Sequence, residues 1–186
     1  LVEKSDADRR LDLITIIERR SDMADRISEV RRAMEEYFGD DRKRIDHALK
    51  VTGFACMIME QEPANPDLVV ATALLHDIGI REAERKYNSC AGNLQEIEGP
   101  PVAREILSKI GFKEEFIAEA CEIIASHHSP GEVDTENFRV IWDADWLVNL
   151  GEECDLSDPE MTEKIISKTF QTRTGRRLAR QIHLKR

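Results

Sequence analysis

One stretch constrains this chain more than any other. From Pro66 onward, Leu68, Val69, Val70, Ala71, Ala73, Leu74 and Leu75 are apolar on nearly every side of a helix, and the run leads straight into His76-Asp77-Ile78-Gly79. A helix that is apolar all round is a buried one, so the rest of the chain must wrap around it. His76 and Asp77 then arrive at the end of a buried helix, where an unpaired carboxylate is expensive. A metal ion would satisfy both, because imidazole nitrogen and carboxylate oxygen suit borderline divalent metals. Taken alone, the pair also reads as capping and solvation at a helix end.

The other histidines change that balance. The periodicity predicts a helix over residues 42–60 in which Val51, Phe54 and Ile58 share the face of His47. A second stripe holds Ile45, Ala48, Leu49, Thr52, Cys56 and Met59. A helix over 113–127 puts Phe116, Ala120, Ile123, Ile124 and His127 on one face, with His128 next and Ser129-Pro130-Gly131 as its stop. A helix over 136–150 puts Ile141, Asp145, Val148 and Asn149 together, with Asp143 pointing elsewhere, nearer Val140 and Leu147; an aspartate flanked by Trp142, Trp146, Leu147 and Val148 calls for a positive partner. Taken alone, His47 reads as a satisfied core residue, and His127-His128 as a surface pair at a helix C-terminus helped by the dipole. Four helices that each carry a potential ligand in an apolar setting point instead to a mixed N/O metal site. Manganese, iron, cobalt, nickel or zinc suits such a site better than magnesium.

The remaining segments frame it. Residues 5–18 read as a short helix with Leu11, Leu13, Ile14, Ile16 and Ile17 apolar, and Ser21-Asp22 as a break. Met23, Ile27, Val30, Met34 and Tyr37 form a narrow seam for packing within the chain, or for a homodimer. Residues 81–98 read as a helix end running into a polar loop, after which Pro101 begins a helix over 102–110 closed by Gly111. Asp158-Pro159 starts a helix through Phe170. The tail from Arg173 to Arg186 holds six Lys or Arg and no acid, which reads as a cationic helix on an acidic body or as a phosphate-facing lid.

Composition narrows the function classes. The chain has 186 residues, enough for one domain with a real core, and its charged residues (34%) recur at helical spacing, so the fold class is all-α. A net charge of −10 argues against a nucleic acid polymer as partner, but not against a small phosphorylated ligand held through a metal. Cys56, Cys90, Cys121 and Cys154 are far apart, with no CxxC, and read as free thiols in a reducing cytoplasm, Cys56 and Cys121 on apolar helix faces. The sequence has no secretory h-region near its start and no apolar run of membrane-spanning length, so no membrane association is expected. Leu1 in place of a methionine suggests that the native start is missing.

In order along the chain, His47, His76-Asp77 and Asp145 resemble the signature of the HD superfamily of metal-dependent phosphohydrolases. His76-Asp77-Ile78-Gly79 matches its frequent HDIG form, and Ala144-Asp145-Trp146-Leu147-Val148-Asn149 is similar to its closing Ala-Asp-x-Leu-x-Asn motif. The resemblance covers about residues 42–150. It implies a single-domain helical bundle, with an N-terminal helical extension (residues 1–40) before an HD metal-dependent phosphohydrolase domain (residues 41–186). It also implies that His47, His76, Asp77 and Asp145 bind the metal. In two-metal members the aspartate of the pair bridges both ions, a part for Asp77, and extra histidines, here His127 or His128, hold the second. Glu98 stands roughly where such members often carry another histidine. Ile80 replaces the catalytic glutamate of nucleotidase-like and stringent-response members, and the lysine and Gly-Tyr-Pro of cyclic-dinucleotide-cleaving members are absent, so those subfamilies are disfavoured.

The expected activity is therefore hydrolysis of a phosphate ester on a nucleotide or other small phosphorylated metabolite, with one or two metal ions activating water. In this reading Asp77, His127 and Glu98 carry catalysis, the last two by relaying a proton. Arg81, Lys86 and Asn149 position the phosphate. The rivals are a di-iron oxygenase, which needs about six His/Asp ligands, and a metal-stabilised sensor or scaffold without turnover.

Overall fold

The computed structural model describes residues 6–129, 131 and 133–184. Among them are nine helices: α1 (Asp6–Phe38), α2 (Arg42–Met59), α3 (Pro66–Leu75), α4 (Ile80–Tyr87), α5 (Gly92–Ile110), α6 (Glu114–Ile124), α7 (Glu136–Glu153), α8 (Pro159–Thr169) and α9 (Arg173–His183). The fold is all-α. No helix of the described residues is long and apolar enough to cross a membrane.

The apolar helix α3 is the axis of the bundle. Asn65 caps it by accepting from the Asp67 and Leu68 amides, and Pro66 opens it without needing a donor. One side of α3, with Leu68, Ala71, Leu74 and Leu75, joins a core built with α1, α5 and α6. Another, with Val69 and Ala73, joins a second core built with α2, α7 and α9. Because both cores are needed to cover α3, its C-terminal end lies where they meet.

Several local readings are corrected. Helix α1 runs unbroken through Ser21-Asp22, because neither residue lacks an amide N–H and Asp22 pairs with Arg26 one turn on (3.1 Å) instead of capping. Met23, Ile27, Val30, Met34 and Tyr37 pack into the chain's own core. The side chains of Leu11, Leu13, Ile14, Ile16 and Ile17 lie outside the described residues, as do Pro130, Lys185 and Arg186.

The segment expected to be a loop is mostly helical: α4 ends at Asn88 in the left-handed conformation, and α5 starts at Gly92 and continues through Pro100 and Pro101. The two prolines leave the carbonyls one turn earlier without their helix donors. One of these belongs to Ile97, an exposed residue. Tertiary contact supplies the rest, since Gly99 packs against Ile124 of α6 and against Gly79. On α2 the buried stripe is Ile45, Ala48, Val51, Ala55 and Ile58, which leaves Cys56 exposed; Cys121 is buried. Helix α9 packs on α7 and α8, and Arg180 pairs with Glu163 of α8 (2.6 Å).

Candidate metal centre

Helices α3 and α6 end in the same way. His76 follows Ala73 by three residues, and its Nδ1 lies 2.8 Å from the Ala73 carbonyl. His127 follows Ile124 by three, with Nδ1 2.7 Å from the Ile124 carbonyl. A carbonyl only accepts, so each Nδ1 carries the proton and each ring presents Nε2 to the space between the helices. Each ring also satisfies an orphan carbonyl of its helix end, which is why α6 stops at Ile124 rather than running on to His127.

Asp77 sits in the tight turn after α3. A Cβ at Gly79 would fall 2.5 Å from the Gln95 carbonyl oxygen and 2.6 Å from the Gly99 nitrogen, so α5 closes on this turn only because the residue is glycine. From α2, His47 places Nε2 3.2 Å from His76 Nε2, 3.1 Å from Asp145 Oδ1 and 3.6 Å from Asp77 Oδ2. Asp145 arrives from α7, steadied by Asn149 one turn on, whose Nδ2 donates to Oδ1 at 2.8 Å. On the far side of Asp77, its Oδ1 lies 3.4 Å from His127 Nε2 and 3.9 Å from His128 Nε2. Two donor groups of metal-binding geometry result, His47/His76/Asp77 and Asp77/His127/His128, with Asp77 common to both.

The electrostatics call for a cation. Burial alone would lower the His76 pKa, but the carboxylates of Asp77 and Asp145 outweigh it and push the group up to about 9. Burial likewise opposes ionisation of the two aspartates, yet His76 and His127 hold Asp77, and His47 and His76 hold Asp145, well below the usual carboxylate range. Burial, with His127 alongside, keeps His128 below its ordinary value and so available as a neutral ligand. The donor set of imidazoles and ionised carboxylates fits a divalent transition metal.

An HD domain family model matches residues 44–150. The chain belongs to the HD domain family. A crystal structure of a predicted HD superfamily hydrolase from an uncultured Thermotogales bacterium is similar: 27% identity, 85% of this chain and 83% of that one covered, TM-score 0.57. No curated protein matches the chain.

Within this HD domain, His47, His76, Asp77, Asp145, His127 and His128 are brought together, and Asn149 lies beside them. Arg81, Lys86 and Glu98 are not in this group. The Arg81 guanidinium donates to the Tyr37 carbonyl near the end of α1 and lies over the Tyr37 ring. Lys86 and Glu98 pair with each other, Tyr87 adds a hydrogen bond to Glu98 (2.9 Å), and both line a separate groove of about 670 Å³ between α1, α4 and α5. Asp143 points away from the centre, as its helix face predicts: it accepts from the Gln171 and Thr172 amides and the Thr172 hydroxyl.

A cavity of about 290 Å³ opens onto the centre, lined among others by Lys43, His47, Lys50, Asp77, Gln95, His128 and Asn149. Sequence reasoning missed its two lysines, although Lys43 and Lys50 stand four before and three after His47 and so share its helix face. Arg44, on the same cavity wall, is taken up by Asp41 (2.8 Å) and Glu84 (2.6 Å). Gln95 donates to the Cys90 carbonyl at 2.8 Å, and its Oε1 has no partner among the described residues. Glu96 was also missed, and it holds the His128-Ser129 backbone from 32 residues away, a contact no local pattern announces.

Proposed function

We propose that the chain is a metal-dependent phosphohydrolase acting on a phosphate ester of a nucleotide or other small phosphorylated metabolite, with two divalent transition ions that share Asp77. The observation that carries this reading is the pair of cations Lys43 and Lys50 on the wall of the cavity that also exposes His47, Asp77 and His128. The chemistry a divalent ion supplies when bound there is Lewis acidity, acidifying water and polarising a phosphoryl oxygen.

The protein's own residues do the rest. His47, His76, Asp77 and Asp145 would hold one ion, and Asp77, His127 and His128 the other. The Nδ1 protons of His76 and His127 are fixed on backbone carbonyls, so the rings cannot swing away from the centre. Asn149 fixes the Asp145 carboxylate. Lys43 and Lys50 supply charge-assisted hydrogen bonds to phosphoryl oxygens. A cavity of about 290 Å³ sits at the small end for ligand pockets, which favours a compact phosphomonoester. The predicted hydrolase named for the similar bacterial structure is in line with this reading.

A second reading, a di-iron oxygenase, is favoured by one observation: His127 and His128 both approach Asp77, which brings the donors to six. The test is metal analysis of untagged protein together with phosphate release from a panel of small phosphate esters. Release of phosphate by protein loaded with manganese, cobalt, nickel or zinc is the expected result. Two irons per chain, oxygen uptake and no phosphate release would replace it with the oxygenase.

A further inference from the structure

His128 differs from the other histidines beside Asp77. His76 and His127 are locked by their own Nδ1 bonds to helix-end carbonyls. Among the described residues His128 has no such bond, and its side chain is 31% exposed. What places it comes from the first turns of α5. Glu96 Oε1 accepts from the backbone amides of His128 (3.0 Å) and Ser129 (2.7 Å), and Oε2 accepts from the Ser129 hydroxyl (3.0 Å). One turn earlier, Gly92 lies under the ring: a Cβ there would fall 2.8 Å from His128 Cγ. A carboxylate that accepts two consecutive amides fixes the peptide between them, and charged hydrogen bonds are the stronger kind.

We infer that Glu96 is the positioning residue for the second ion, setting His128 against Asp77 from outside the donor set. This rests on the two-ion reading above. The group His47/His76/Asp77 has Asp145 as a fourth donor, so it is the tighter site; Asp77/His127/His128 is the weaker, and its third ligand depends on Glu96. The same turn of α5 that presses on Gly79 therefore also presents the loop after α6, and one helix start governs both sides of Asp77.

The experiment is calorimetric titration of manganese(II) into the metal-free full chain, for the parent and for Glu96→Ala, Glu96→Gln and Gly92→Ala. The parent binds two ions in two steps. Glu96→Ala keeps the tighter step within about twofold and weakens the looser one by at least about tenfold, the usual range for losing an outer partner of a metal ligand. Gly92→Ala does the same by pushing the ring. Glu96→Gln, which keeps the oxygen that accepts both amides, stays within about threefold of the parent. Equal weakening of both steps in Glu96→Ala would mean a general structural role, and no change in the looser step would mean no role; either result overturns the inference while the two-ion reading stands. A single step in the parent would instead remove the two-ion reading, and this inference with it.

Discussion

Asp143 and Asp145 stand two residues apart on α7, both are buried, and the protein uses them in opposite ways. Asp143 Oδ1 accepts from the Gln171 amide (2.7 Å), and Oδ2 from the Thr172 amide (2.8 Å) and hydroxyl (2.7 Å), so it ties the start of α9 to α7. Its hydrogen-bond partners are neutral dipoles, and burial wins: its pKa is pushed up to about 6 despite those hydrogen bonds and the weaker pull of Arg176. Asp145 is opposed by burial too, but His47 and His76 hold it well below the usual range. A buried carboxylate is therefore no sign of a site in itself. One whose lone pairs are filled by fixed backbone donors is a fastening, whereas one whose partners are themselves metal ligands is part of a centre.

The contrast is sharpest in metal retention. Asp145→Ala should lower metal affinity at least about 100-fold, beyond the 10–100-fold seen when only a supporting partner is lost. Asp143→Ala should keep the parent's metal content per folded chain. Equal metal loss in both variants, measured by mass spectrometry after identical dialysis, would break the distinction.

Stability should invert the ranking. Asp143→Ala strands three donors inside the protein and opens the α7–α9 junction, a loss of about 2–4 kcal/mol in urea unfolding of the metal-free chain. Gly175 packs directly on the Asp143 carboxylate, with no room for a Cβ, so Gly175→Ala should destabilise by the same route. Asp145→Ala leaves the Asp77 carboxylate to face both His47 and His76 and should cost the metal-free protein less than Asp143→Ala does.

Protonation gives a finer reading. With a folded pKa of about 6 against an ordinary 3.8, Asp143 holds its proton in the folded state at pH values where the unfolded chain has released it. The folded state therefore binds more protons across that window, and this contribution is fully present below pH 4 and lost as pH rises through 6. It amounts to at most about 3 kcal/mol. Unfolding free energies measured from pH 4 to 7 should show this fall in the parent and not in Asp143→Asn. A rise over the same window, attributable to residue 143, would show that the three hydrogen bonds outweigh burial.

How far the sequence reveals these differences depends on whether a residue's neighbours are local. The all-apolar run of α3 and the His76-Asp77 pair could be read directly, because both follow from periodicity over a few turns. Asp145 could be separated from Asp143 by helix face and by the motif that ends in Asn149. Lys43 and Lys50 were readable in principle, three or four residues from His47. Arg81 and Lys86 follow the His-Asp turn closely in sequence, but α4 directs them to α1 and α5, and the deciding contact for Arg81 lies 44 residues away. The helical course of α5 through two prolines depends on Gly79, Gly99 and Ile124 meeting, which no local rule can supply.

Glu98 is the smallest and most specific test of the rule drawn from α7. It is a buried carboxylate in the larger cavity, and the Lys86 ammonium, with Tyr87 adding a hydrogen bond, holds it below the usual carboxylate range. By the criterion that separates Asp143 from Asp145 it is a fastening, since none of its partners is a donor to the centre. Glu98→Gln should therefore leave metal content and phosphate release within about twofold of the parent, as expected for substitutions that share no partners with the site. A loss of more than about tenfold in either, with the fold intact, would tie the larger groove to the chemistry and show that partner identity alone does not separate fastenings from ligands.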